Sequence, residues 1–131
     1  MSFQVKKSEI ATQRAPKAIG PYSQAVSAGS FVFTSGVLPV NPETGKIVEG
    51  GIVEHTRQVF ENLKAILEEA GTSLSNVVKT TVFIASMKDF AAMNEVYASY
   101  LGEGVKPSRS TVEIPNLALG ALVEIEMIVL R

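Results

Sequence analysis

The 131-residue chain has no cysteine, no tryptophan and a single histidine, His55. Without cysteine there is no disulfide framework, no thiolate nucleophile and no Cys/His zinc site. Any histidine-dependent triad would have to run through His55. Charge is scarce as well. Charged residues make up 19% of the chain, with 12 Lys and Arg against 13 Asp and Glu for a formal net charge of −1. That balance leaves no electrostatic footprint for nucleic acid or an anionic membrane, so neither is expected as a partner. The longest apolar run, Leu117–Val123, spans seven residues, far below the ~18–20 of a membrane helix. No signal-peptide pattern opens the chain, so an intracellular, soluble protein is expected.

What is present points to a compact fold. At this length one domain over 1–131 is expected. Surface scaling gives roughly 6,700 Å² exposed against about 20,000 Å² unfolded, enough burial for a core without staples. Hydrophobic residues reach 46%, which with so few charges suggests apolar surface buried against another subunit.

Residues 3–8 read as an edge strand and 10–22 as irregular. Two short strands follow, about 23–28 and 30–35, joined at Ala28-Gly29-Ser30. Asn-Pro-Glu-Thr-Gly (41–45) is turn chemistry and marks a loop. The stretch 52–70 is an amphipathic helix, with Val59, Phe60, Leu63, Ile66 and Leu67 on its apolar stripe and Gly71 as its stop. A β-branched strand covers 76–85. A second helix covers 89–101, with Asp89 at its N-cap and Phe90, Met93, Val96, Tyr97, Tyr100 and Leu101 inward. Strands at 109–114 and 121–130 complete the order ββ-α-β-α-ββ, an α+β fold with a mixed sheet of five to six strands.

Two helices cover only one face of such a sheet, yet the strands are apolar on both: Val78, Thr80, Val82 and Ile84 against Val77, Thr81, Phe83 and Ala85. An uncovered apolar face is costly in water, and oligomerisation through it is the economical solution.

Strand alternation sorts the candidate polar residues. Arg109, Thr111 and Glu113 share one side of their strand, and Glu124 and Glu126 share one side of theirs. Two readings stay open: a solvated strand face with salt bridges, or a catalytic carboxylate near an arginine that grips an anion, for which the planar guanidinium fork is suited. Asn94 borders the apolar face of the second helix. Tyr22 either walls a pocket or caps the core, and Ser35-Gly36 ends a strand where glycine permits close approach. His55 reads as a structural boundary histidine. The carboxylates have no metal-loop spacing, and the glycines fit neither a dinucleotide fingerprint nor a phosphate loop, so no metal or cofactor is expected.

Three segments taken together go further: Ala18-Ile-Gly-Pro-Tyr-Ser-Gln-Ala25, Thr34-Ser-Gly-Val-Leu-Pro-Val-Asn-Pro-Glu-Thr-Gly45 and Lys106-Pro-Ser-Arg-Ser-Thr-Val-Glu-Ile-Pro115. With Gly50-Gly-Ile52, Thr56-Arg-Gln58 and Val123-Glu-Ile-Glu-Met127, they resemble the reactive intermediate deaminase A (RidA/YjgF/UK114) family from about Ile10 to Arg131. The resemblance implies a chorismate-mutase-like fold with two helices on one face of the sheet, assembled as a homotrimer with sites between subunits. It implies hydrolysis of 2-imino or enamine acids, such as 2-iminobutanoate and 2-iminopropanoate, to 2-keto acids and ammonia without metal or cofactor. Carried over by position, Arg109 is the carboxylate-binding arginine and Glu124 the residue that positions water. Tyr22, Ser35, Gly36, Asn94 and Thr111 are substrate-binding positions. Thr111 departs from the cysteine common there in bacterial relatives, which puts substrate preference in doubt but removes no nucleophile the deamination needs. Small imino and keto acids are then the partners. A trimer that only binds 2-keto acids, or a nuclease that inhibits translation, are the alternatives. Because the resemblance begins near Ile10, no removable leader is expected and the cytoplasm is favoured.

Overall fold

The computed structural model describes residues 5–131. Eight strands and two helices follow one another as β1 (Lys7–Ile10), β2 (Ala25–Ala28), β3 (Phe31–Thr34), β4 (Val40–Asn41), β5 (Lys46–Ile47), α1 (Ile52–Glu69), β6 (Val77–Ile84), α2 (Phe90–Leu101), β7 (Ser108–Glu113) and β8 (Val123–Leu130). Six of the strands form one mixed sheet in the order β1-β2-β3-β8-β6-β7. Only β6 and β7 run parallel, joined by α2, as parallel neighbours need a crossover. The edge strand expected at 3–8 is shifted to Lys7–Ile10, and residues 3 and 4 lie outside the described residues. The turn expected at 41–45 is found at 42–45, where it joins the two strands of a small β4–β5 hairpin.

Both helices pack on one face. The apolar stripe of α1 lays Val59, Phe60, Leu63, Ile66 and Leu67 over Val32, Val82, Ile84, Val123, Ile125, Met127 and Val129, all buried. Each of these large side chains contributes about 1.5–3 kcal/mol through removal from water. Phe60 meets α2 directly, edge-on to Tyr97 at 5.6 Å and stacked on Tyr100 at 4.8 Å. Helix α1 ends before Gly71, whose φ of +80° is the left-handed conformation glycine adopts without steric cost.

Three expectations need correction. Val77 is buried on the helix side and Val78 is 40% exposed, because a register shift between Val77 and Lys79 inserts an extra residue and reverses the alternation. Asp89 stands at the N-cap of α2 but makes no capping bond, since a 3₁₀ turn at Met87–Asp89 precedes the helix, and there Ser86 accepts from the Lys88 N–H. His55 is buried rather than at a boundary. Its Nδ1 accepts from the Leu122 N–H at 3.2 Å, and burial lowers its pKa below the usual histidine value.

The other face of the sheet carries no helix. Phe31, Phe33, Val112 and Leu130 are 38–43% exposed there. Among the described residues, no helix is long and apolar enough to cross a membrane.

Candidate functional site

Backbone pairing fixes which candidate residues share a side of the sheet. Val82 pairs with Thr111 on β7 and with Ile125 on β8, whereas Phe83 pairs with Val112 and Glu124. Cross-strand partners point the same way and successive residues alternate. Arg109 and Thr111 therefore lie on the helix side, and Glu124 lies on the open side. The candidate residues fall into two groups within one chain.

The first group is built around Glu124. After β3 the chain runs back along β8, where Val37 and Ile125 exchange hydrogen bonds at 2.8 and 3.2 Å. That bridge sets Gly36 against the Glu124 carboxylate so closely that a Cβ at Gly36 would lie 2.0 Å from Oε2. Burial raises the pKa of Glu124 above the usual carboxylate value, and the neighbouring Glu126 charge adds to the shift. Ser35 is held by its Oγ, which donates to the Ser23 carbonyl at 2.6 Å. Tyr22, about half exposed, accepts the Ile19 N–H on its hydroxyl at 3.2 Å. Tyr22, Ser35 and Gly36 line a common cavity of about 390 Å³.

Periodicity gave no warning of the residue that holds this wall. Gln24 is 8% exposed. Its amide donates to the carbonyls of Thr12 (3.0 Å), Ala15 (3.2 Å) and Pro16 (2.7 Å), and its Oε1 accepts the Thr12 N–H at 2.7 Å. One side chain thus satisfies the backbone of an irregular segment that has no sheet or helix partner of its own.

The second group is built around Arg109, at the edge of the sheet. Its Nη1 donates to Asn94 Oδ1 at 2.7 Å, so Asn94 is a partner of the arginine rather than an isolated boundary residue. The guanidinium carbon stands 4.8 Å from the Tyr97 ring centroid and 5.4 Å from that of Phe90, favourable cation–π distances. Tyr97 is fixed in turn by a 2.8 Å hydrogen bond with buried Thr80. Helix periodicity marks Phe90 and Tyr97 as inward, but their role as a platform for Arg109 depends on tertiary placement. Thr111 Oγ1 is buried without a hydrogen-bond partner, a state that costs about 1–3 kcal/mol and calls for an explanation.

Chemically, the second group offers a guanidinium held on aromatic rings and by one amide, with donors left for a planar anion. The first offers a carboxylate of raised basicity packed against Gly36, which with Tyr22 and Ser35 lines a roomy, largely apolar cavity. Among the described residues, no three metal-ligating side chains converge.

Residues 12–131 match the family described as endoribonuclease L-PSP. The chain is 57% identical to a RutC family protein of Pyrococcus horikoshii, covering 93% of this chain and 96% of that one. It is 44% identical to the mouse 2-iminobutanoate/2-iminopropanoate deaminase, over 93% and 90% of the two chains. Among solved structures, Escherichia coli TdcF with bound serine superposes with a TM-score of 0.90 at 45% identity, covering 95% of this chain and 98% of that one.

Proposed function

The chain belongs to the endoribonuclease L-PSP family, which includes the RutC and Rid proteins, and from that premise we propose that it hydrolyses small 2-imino acids to 2-keto acids and ammonia. The substrates are 2-iminobutanoate and 2-iminopropanoate or their enamine forms. The observation that carries this reading is the cradle of Arg109: a guanidinium ordered by Asn94, Phe90 and Tyr97 with donors still to spare. The mouse relative named as an imine deaminase supports the reaction. TdcF with serine supports a ligand that carries a carboxylate and a nitrogen on the neighbouring carbon.

Arg109 takes the substrate carboxylate in a bidentate, charge-assisted pair and so fixes the electrophilic C2 carbon. Glu124 holds a water within about 2.6–3.2 Å and accepts its proton as the oxygen adds to C2. A tetrahedral aminoalcohol forms. Proton transfer to its nitrogen releases ammonia and leaves the 2-keto acid. Tyr22, Ser35 and Gly36 shape the site beside the water, and Thr111 stands next to Arg109 on the same side of β7 as a substrate-binding position. No metal or cofactor takes part. Free imines hydrolyse unaided, so the acceleration asked of these groups is modest.

Arg109 and Glu124 face opposite sides of the sheet within one chain, so the reaction requires a second copy. In this reading three chains join through the apolar sheet face, and each site pairs Glu124, Tyr22, Ser35 and Gly36 of one chain with Arg109, Asn94 and Thr111 of its neighbour. The exposed Phe31, Phe33, Val112 and Leu130 support that burial. The whole chain acts as one domain in the cytoplasm.

The experiment couples a threonine dehydratase to the purified protein and follows 2-ketobutyrate together with semicarbazide-trapped imine. The wild type is expected to speed keto-acid release and deplete the trapped imine, and Arg109→Ala to do neither. Equal rates for Arg109→Ala and wild type overturn the assignment. Binding of 2-ketobutyrate without any acceleration favours the binding-only alternative.

A further inference from the structure

Arg109 stands on an edge strand of the sheet and is exposed. Among the described residues no carboxylate pairs with it. A long, flexible side chain in that setting samples many rotamers, and ordering it for a ligand carries an entropic cost. The contacts that order it beforehand are the Asn94 amide and the two aromatic rings. Phe90 opens α2 and is half-buried. Tyr97 is the closer ring and the buried one, so its placement decides where the guanidinium rests.

The edge contact between Tyr97 and Phe60 is apolar and does not fix how the ring is turned. The directional contact is the 2.8 Å hydrogen bond between the Tyr97 hydroxyl and Thr80 Oγ1. Thr80 is 0% exposed and pairs across the strands with Arg109 itself. The three residues therefore close a loop. Strand pairing joins Thr80 to Arg109, the hydroxyls join Thr80 to Tyr97, and the Tyr97 ring carries the Arg109 guanidinium. On that side of the sheet the surroundings of Thr80 are apolar and buried: Val82, Ile84, Met127 and Val129. Valine would fill the same space, and a hydroxyl is costly to bury there unless it is bonded. Packing alone does not account for the threonine.

We infer that Thr80 is a positioning residue for the carboxylate grip, acting through Tyr97 to hold Arg109 in the orientation that receives the substrate. The inference rests on the imine-hydrolase reading for the identity of the acid, and adds to it a residue buried in the core behind the site. Without the bond the Tyr97 hydroxyl is buried and unpaired. The ring then turns toward another partner, and the guanidinium loses its bed. Arg109 holds the carboxylate in the ground state and the transition state alike, so the loss falls on binding rather than on the chemical step. A hydrogen bond of this kind is worth roughly fivefold. KM is expected to rise by about that factor, with kcat nearly unchanged.

The test compares wild type with Thr80→Val, Thr80→Ser and the double variant Thr80→Val/Tyr97→Phe. Calorimetry gives the Kd of 2-ketobutyrate. An L-amino-acid oxidase with catalase generates 2-iminobutanoate from L-2-aminobutyrate for KM and kcat, and melting temperature reports stability. Thr80→Val is expected to raise Kd and KM together by about fivefold, and Thr80→Ser to keep both near wild type. The double variant removes both hydroxyls and leaves no buried group unpaired. Its melting temperature is expected to return toward wild type while Kd and KM stay raised, a separation that a merely structural role does not produce. An unchanged Kd in Thr80→Val overturns the positioning role, as does a Kd that recovers with the melting temperature in the double variant. If the wild type binds 2-ketobutyrate but hydrolyses no imine, the hydrolase reading fails and the Kd comparison still decides the role of Thr80. If the wild type does not bind it, the carboxylate grip falls and the role of Thr80 with it.

Discussion

Gly36→Ala isolates the contact on which the Glu124 role depends. The new Cβ would stand 2.0 Å from Glu124 Oε2 and 2.9 Å from its Cδ, where ordinary contact begins near 3.5 Å. The backbone cannot yield easily, because Val37 next to it is tied to Ile125 by two hydrogen bonds. The carboxylate therefore has to swing away by more than an ångström. A displacement of about 1 Å at a reacting group costs on the order of 100-fold in rate. Gly36 does not have a left-handed φ, so alanine incurs no backbone penalty and restrains the unfolded chain slightly. The expected outcome is a roughly 100-fold fall in kcat/KM in the coupled imine assay, with circular dichroism unchanged and a melting temperature within a few degrees of wild type. A variant as active as wild type would refute a water-positioning role for Glu124.

Two further predictions concern protons. Burial, and secondarily Glu126, raise the Glu124 pKa, so the acid limb of kcat/KM is expected above the usual carboxylate range. Glu126→Gln is expected to shift that limb to lower pH, read from enzyme-dependent rates after subtraction of spontaneous hydrolysis. His55 has a pKa lowered mainly by burial, so the unfolded chain binds a proton that the folded chain resists. Its contribution to stability is complete above the unfolded value near 6.5 and is lost as pH falls through that value toward the lower folded one. Melting temperatures from pH 8 to 5 should show this loss in the wild type, and less of it in His55→Gln.

Much of the fold was legible because hydrophobic period reports burial. The stripe of α1 and the alternation of β8 read correctly, as did the uncovered face, since residues such as Phe31 and Phe33 are apolar where no helix was available. Failures came where local rules gave way to irregular backbone. The bulge after Val77 reversed the sides of β6, and the 3₁₀ turn before α2 displaced the capping role to Ser86. At the site, residue types left Arg109 and Glu124 open between a solvated strand face and a catalytic pair, the family resemblance singled them out, and alternation within each strand left open whether the two meet. Pairing through β6 answers that by sending them to opposite sides. The Gln24 clamp and the aromatic bed under Arg109 join residues distant in sequence, and no periodic pattern encodes such contacts.

The central claim is that one site draws Arg109 and Glu124 from different chains, and subunit mixing tests it most directly. Arg109→Ala and Glu124→Gln are each expected to be inactive as pure assemblies. When the two are unfolded together and refolded at equal concentration, an interface is intact wherever an Arg109→Ala chain supplies Glu124 to a Glu124→Gln neighbour. Random mixing in a closed ring gives about a quarter of the wild-type activity. Recovery near that level is the predicted result, and a mixture as inactive as its parents would contradict the shared site.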